Sequence, residues 1–325
     1  MSTHEENSQA APRSTLRRLV ARYPATAFLV MAFGFGWASL IPILLSENGL
    51  GVVPIELPLT LVQTLATLLG LALPAFLVTA ATGGKEGVRD LLGRMLRWRV
   101  GIHWYLIALF GLPVAVLLAA VPFLGLVPLE ALVRNWGLVF TVFLPGVIVP
   151  FVHTNLWEEL GWTGYLQSTL QERRGPLLAS IIVAPFFALF HLPAMFISGW
   201  IADEGYSLSQ FPVALVQVGV LAVFAIFFRV LIMWLYNVTG RSVLLVGLFH
   251  SVFNVVSGQQ VMPELVPGLN SNLLVAGVVV VLAVVLAVST RGRLGHDSER
   301  GTANGRRSGR PGSTKGAITN AFGSP

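Results

Sequence analysis

"SNLLVAGVVVVLAVVLAVS", residues 271–289, holds no charged residue and only two serines and one asparagine as polar groups. A run of ~20 apolar residues, rising ~1.5 Å each as a helix, spans the ~30 Å hydrocarbon core of a bilayer. It reads as a membrane-crossing helix, and the rest of the chain repeats it. Working back, apolar segments occupy approximately 24–46, 58–81, 102–125, 136–157, 176–198, 212–236 and 242–261. The 325 residues are 54% hydrophobic and 11% charged, with a mean hydropathy of +0.75. That lies well outside the range of soluble globular domains. The expected fold is all-α, a polytopic membrane protein with about eight transmembrane helices.

Charge sets the organisation. The connections alternate between basic ones and acidic ones. Arg13, Arg17, Arg18 and Arg22 precede the first segment, and Lys85, Arg89, Arg94, Arg97 and Arg99 follow the second. Arg173 and Arg174, Arg241, and Arg291 with Arg293 continue the basic series. Between them fall Glu47 and Glu56, Glu130 with Arg134, Asp203 and Glu204, and Glu264. Basic loops remain cytoplasmic, so an even helix count places both termini in the cytoplasm of a plasma-membrane protein. Residues 1–23 read as a basic N-terminal tail, too polar for a cleaved signal peptide. Residues 24–289 read as the membrane domain, and 290–325, rich in Gly, Ser and Arg, as a disordered tail.

Several classes are excluded. The chain has no cysteine, which removes disulfides, thiolate metal sites and a cysteine nucleophile. The net charge of +6 sits in tails and short loops, where membrane orientation accounts for it, so nucleic acid is not an expected partner. Membrane lipids are.

An ionisable group inside a spanning helix costs roughly 2.5–3.5 kcal/mol on insertion scales and calls for an explanation. The apolar segments and their edges hold His153, Glu158, Glu159, His191, Arg229 and His250, with Asn254 as an uncharged companion. Glu158 and Glu159 are neighbours, ~100° apart on a helix, so one serves a site and the other supports it. His191 stands in "FFALFHLPAMF" just before a proline. His250 and Asn254, four apart, share a helical face. Taken alone, the acid pair also reads as carboxylates at a membrane interface, and each histidine cluster as interhelical hydrogen bonding. Together they supply a base for water, a positioning group and oxyanion donors, the components of a hydrolytic site. Counted at ~1.5 Å per residue, His250 lies roughly 12 Å and His191 roughly 22 Å from the basic ends of their helices. With the Glu pair at the basic end of the fourth segment, these levels require a water-filled cavity open to the cytoplasm.

The three blocks "EELGWTGY" (158–165), "FALFH" (187–191) and "HSVFN" (250–254) resemble the ordered motifs EExxxR, FxxxH and HxxxN/D of the CAAX protease and bacteriocin-processing (Abi) family of intramembrane endopeptidases. The resemblance covers roughly residues 140–260. It implies a membrane enzyme that hydrolyses a peptide bond, with a peptide or protein substrate, lipid-modified or not. By position, Glu158 would activate water and Glu159 support it. His191 would hold that water, and His250 with Asn254 would stabilise the oxyanion. One position departs from the pattern, since Thr163 stands where the family has arginine. Arg229, ~10 Å from the basic end of its helix, is the candidate to supply the missing charge or to hold a substrate carboxylate.

The family is described both as metalloprotease and as glutamate protease. His191, His250 and one glutamate would make a His₂Glu zinc set. No HExxH helix is present, however, and an amide at 254 suits an oxyanion better than zinc. No cofactor is therefore favoured, with a divalent metal such as zinc the alternative. The rival to an enzyme is a transporter or a peptide-binding immunity protein, which would also place His and Glu in the membrane.

Overall fold

With no water at hand, the amides of an apolar segment must be satisfied within the segment itself. The computed structural model describes residues 15–47, 50–202, 210–258 and 261–296, and among these it contains helices and no strand. A short basic helix α1 (Thr15–Arg22) leads into α2 (Pro24–Leu45). Then follow α3 (Leu59–Met95), α4 (Ile102–Leu124), the short α5 (Val127–Arg134) and α6 (Val139–Arg174). The chain closes with α7 (Pro176–Ile197), α8 (Phe211–Val238), α9 (Val243–Ser257), the one-turn α10 (Met262–Leu265) and α11 (Ser271–Ser289).

Start signals are local. Pro24 and Pro176 open α2 and α7 at positions where a missing N–H costs nothing. Ser242 and Asn270 cap α9 and α11 by accepting from the backbone N–H of Leu245 and Leu273. Gly175, at φ +78, reverses the chain between α6 and α7.

Seven of the described helices are long and apolar enough to cross a membrane. The expected eighth, α9, has 15 residues, about 22 Å at ~1.5 Å per residue. It is the helix carrying His250 and Asn254, and it is buried inside the bundle more than it is a span in its own right. Two expected boundaries also move. The second segment does not end at 81 but continues as α3 to Met95, past a break at Gly84, so part of the basic loop is helical. The fourth does not end at 157. It continues as α6 to Arg174, because Glu159 is paired inside the protein and Glu158 lines an internal cavity, so the helix has no need to stop at them. The tail boundary shifts as well: Leu294 is fully buried, its carbonyl accepting from Asn237 Nδ2 at 3.1 Å. The remainder of the expected disordered tail, from 297, and the acids Asp203 and Glu204 lie outside the described residues.

Helix α6 is the centre of the bundle, packed against α3, α7 and α9. It contains three stretches of π-helical turn, 139–143, 151–155 and 160–167. Such wide turns are uncommon and are frequent at functional sites. Two glycines let neighbouring backbones approach it. A Cβ on Gly161 would meet Leu71 Cβ at 2.8 Å, and one on Gly247 would meet Leu156 Cα at 3.0 Å. The second contact seats α9 beside the Glu158–Glu159 turn. Gly161→Val should force α3 and α6 apart and cost about 1–3 kcal/mol, the usual range for overpacking. A melting temperature in detergent equal to that of the wild type would refute the close approach.

Candidate active site

The two adjacent glutamates face different surroundings. Glu159 is fully buried and is held from three sides. Arg229 Nη1 donates to Oε1 at 2.8 Å and Oε2 at 3.0 Å. Thr163, one turn along the same helix, donates its hydroxyl to Oε2. His250 Nδ1 lies 2.8 Å from Oε1. Because a carboxylate only accepts, Nδ1 carries the proton.

Arg229 is equally buried and equally committed. Its Nη2 donates to the Thr163 hydroxyl, and Nε and Nη2 both donate to Gln167 Oε1, at 2.9 and 2.6 Å. Gln167 in turn donates to Ser180 Oγ at 2.8 Å. A buried ion pair is tolerable only when its remaining donors and acceptors are satisfied, and this one is surrounded by hydrogen bonds. The arginine also lies over the face of Phe187, 5.5 Å from the ring centre.

Glu158 points the other way, into a cavity of about 190 Å³ walled by α2, α3, α6, α7 and α9. Trp37, Gln63, Thr67, Thr154, Asn155, His191 and Asn254 share its lining. His191 Nδ1 is 2.7 Å from the Phe187 carbonyl. A carbonyl accepts, so Nδ1–H is spent there and Nε2 is the free lone pair of the neutral ring. That Nε2 lies 3.6 Å from Glu158 Oε1, too far for a direct hydrogen bond and suited to sharing a water.

Asn254 and Asn155 meet in the same lining. Asn155 Oδ1 accepts from Ser251 Oγ at 2.7 Å and from Asn254 Nδ2 at 3.3 Å. This turns the Asn155 amide N–H₂ away from α9.

The expected set is therefore divided into two tiers. Glu158, His191 and Asn254 share the cavity, whereas Glu159, Arg229 and His250 form the buried pair behind it. Of the expected oxyanion pair, Asn254 lines the cavity and His250 does not. The Nδ1–H of His250 is directed at Glu159. His153 is exposed on the outer side of α6 and joins neither tier. Three residues escaped sequence reading: Asn155, Gln167 and Ser251. Asn155 precedes Glu158 by three positions and Gln167 follows Glu159 by eight, so both stand near the acids on α6. Uncharged amides attract less notice in an apolar helix than acids do.

Among the described residues no three or more His, Asp or Glu side chains are arranged to hold a metal ion. Glu159 is occupied by a guanidinium that a cation would have to displace, and Glu158 with His191 provides only two donors. A catalytic zinc site uses three protein ligands. The donor set does not fit one.

A cavity that sets a buried carboxylate beside an imidazole, backed by a second carboxylate paired with arginine, is the candidate site. Residues 135–256 match the family model described as Type II CAAX prenyl endopeptidase Rce1-like. The chain is also 23% identical over 205 residues to CAAX prenyl protease 2 of Methanococcus maripaludis, covering 59% of this chain and 71% of that one. Both matches liken the chain, over the stretch that carries the cavity, to CAAX prenyl proteases.

Proposed function

We propose that the protein is an intramembrane endopeptidase whose base is Glu158, acting on a peptide or protein substrate at the membrane. The 3.6 Å gap between Glu158 Oε1 and His191 Nε2 carries this reading. Two acceptors at that separation hold one water by both of its protons. Glu158 takes a proton from the water as its oxygen attacks the scissile carbonyl carbon. The carbonyl oxygen, now an oxyanion, accepts from the amides of Asn254 and Asn155. The C–N bond then breaks, and Glu158 returns the proton to the leaving amine. Glu159 and Arg229 touch no substrate in this scheme. They neutralise each other and fix the helix turn on which Glu158 stands, and Glu159 fixes the His250 ring.

The relative's name supplies the substrate class, a polypeptide cleaved in a CAAX context, and lipid modification of the substrate is compatible with a site inside the bilayer. The protein resides in the plasma membrane with both termini cytoplasmic, as the distribution of basic loops supports.

The test is incubation of the purified protein with a peptide library, read by mass spectrometry beside solute uptake into proteoliposomes. Paired fragments flanking one bond support the protease. Uptake with no fragments supports the rival reading, a carrier. Within the scheme, Asn155→Ala should lower kcat about 10²–10³-fold, the usual cost of losing one oxyanion donor. KM should change little, and an unchanged kcat would remove Asn155 from the site.

A further inference from the structure

The charge of the chain divides by end of the bundle, and so does the cavity. Of the 21 lysines and arginines, all but Arg134 and Arg229 fall in the two tails or in the connections at one end, where α3 and α8 finish and α7 and α9 begin. Among the described residues, the opposite end carries Glu47, Glu56, Glu130 and Glu264 against Arg134 alone. The described ends of the chain both sit at the basic end. There Arg17 Nε donates to Ala81 O at 3.1 Å, and Asn237 holds Leu294 O.

Sequence reasoning requires a cavity open toward that basic end, and the structure places it at the other. Trp37 and Leu40 lie in the second half of α2, Gln63 and Thr67 in the opening turns of α3, and Asn254 in the last turn of α9. His191 is about 22 Å from the start of α7 at Pro176 and about 16 Å from the last described helical residue, Ala202, at ~1.5 Å per residue. Between the cavity and the basic end, the core is filled by the hydrogen-bonded column of Glu159, Arg229, Thr163 and Gln167. Beyond it lies the buried Arg94, which donates to Gly164 O at 2.8 Å and to Tyr236 Oη at 3.0 Å. The earlier expectation fails because it set the Glu pair at the basic end of its helix, whereas α6 continues 15 residues past Glu159.

We propose that the site is served from the non-cytoplasmic face, and that its substrate is a polypeptide anchored in the outer leaflet or delivered to it. Basic connections stay in the cytoplasm, and the cavity is at the far end from them. The word substrate here rests on the proteolytic reading; the direction of access does not.

The chain has no native cysteine, so a single introduced cysteine is a unique address. Full-length variants Glu56→Cys and Glu264→Cys mark the acidic end, Arg173→Cys the basic end, and Gln63→Cys the cavity. All three end markers are exposed. Intact spheroplasts are treated with a membrane-impermeant maleimide. Glu56→Cys, Glu264→Cys and Gln63→Cys should label fully, and Arg173→Cys should stay at background until the membrane is permeabilised. The reverse pattern overturns the proposal, as does a Gln63→Cys that labels only after permeabilisation. Thr67→Cys replaces Gln63→Cys if the latter fails to accumulate. Labelling as expected, from a protein that gives no fragments from any peptide, would leave the direction of access standing and sink the protease.

Discussion

Glu158→Gln is expected to lower the cleavage rate by roughly 10²–10⁴-fold, the contribution usual for a general base, while the protein remains folded. The substitution conserves shape and removes only the ability to take a proton. Glu158 is 6% exposed and faces a polar cavity instead of a fixed cation, so neutralising it leaves no opposite charge stranded. The melting temperature in detergent should match that of the wild type or exceed it slightly. Glu159→Gln, one residue on, should behave in the opposite manner. It leaves the Arg229 guanidinium buried without its counter-ion, a loss of about 3–5 kcal/mol, and should be read first as failure to accumulate folded protein. A Glu158→Gln variant that still cuts at the wild-type rate would show that another base operates. One that unfolds would show that Glu158 belongs to the scaffold. The contrast between adjacent carboxylates is the diagnostic, since both are buried and only their partners differ.

The extent to which this was legible in the sequence follows from which forces are local. The helical class was, because ~20 apolar residues in lipid have one way to satisfy their amides. The ends of α3 and α6 were not. A hydropathy run stops at the first charge, and whether a charge ends a helix depends on a partner elsewhere in the chain. Glu158 and Glu159 stay inside because Arg229, on another helix, is within reach of Glu159, and no pattern within residues 155–167 announces that. The grouping of Glu158, His191 and Asn254 was legible as a list of parts in order, whereas their division into a cavity tier and a buried tier was not. That division depends on the side-chain directions along a helix with π-turns, where a fixed ~100° step no longer holds. The depth of the site escapes the sequence for the same reason, since the end of the hydropathy run is not the end of the helix.

Thr163 stands where the family motif has arginine, and the structure shows a guanidinium at the same carboxylate, supplied by α8. Arg229→Thr alone should cost about 3–5 kcal/mol, because Glu159 is then a buried carboxylate without its arginine counter-ion. Thr163→Arg alone should also fail: Thr163 is fully buried and donates to Glu159, and a second arginine there would be overpacked and unpaired. The reciprocal exchange, Thr163→Arg with Arg229→Thr, restores both the charge and the volume. Position 163 is one turn from Glu159 on α6, so an arginine there lies along the same helical face. The double variant should leave a deficit of only about 1–2 kcal/mol, the residue of imperfect repacking, and should recover activity with stability. Unfolding of the four proteins in detergent gives the coupling energy directly as a double-mutant cycle. Additive losses would mean that the two positions do not share one electrostatic task, and that Arg229 is held by packing against Phe187 more than by its charge. A strongly favourable coupling would mean that the ion pair can be made from either helix. What the site needs is then a neutralised Glu159 behind a free Glu158, whichever helix carries the cation.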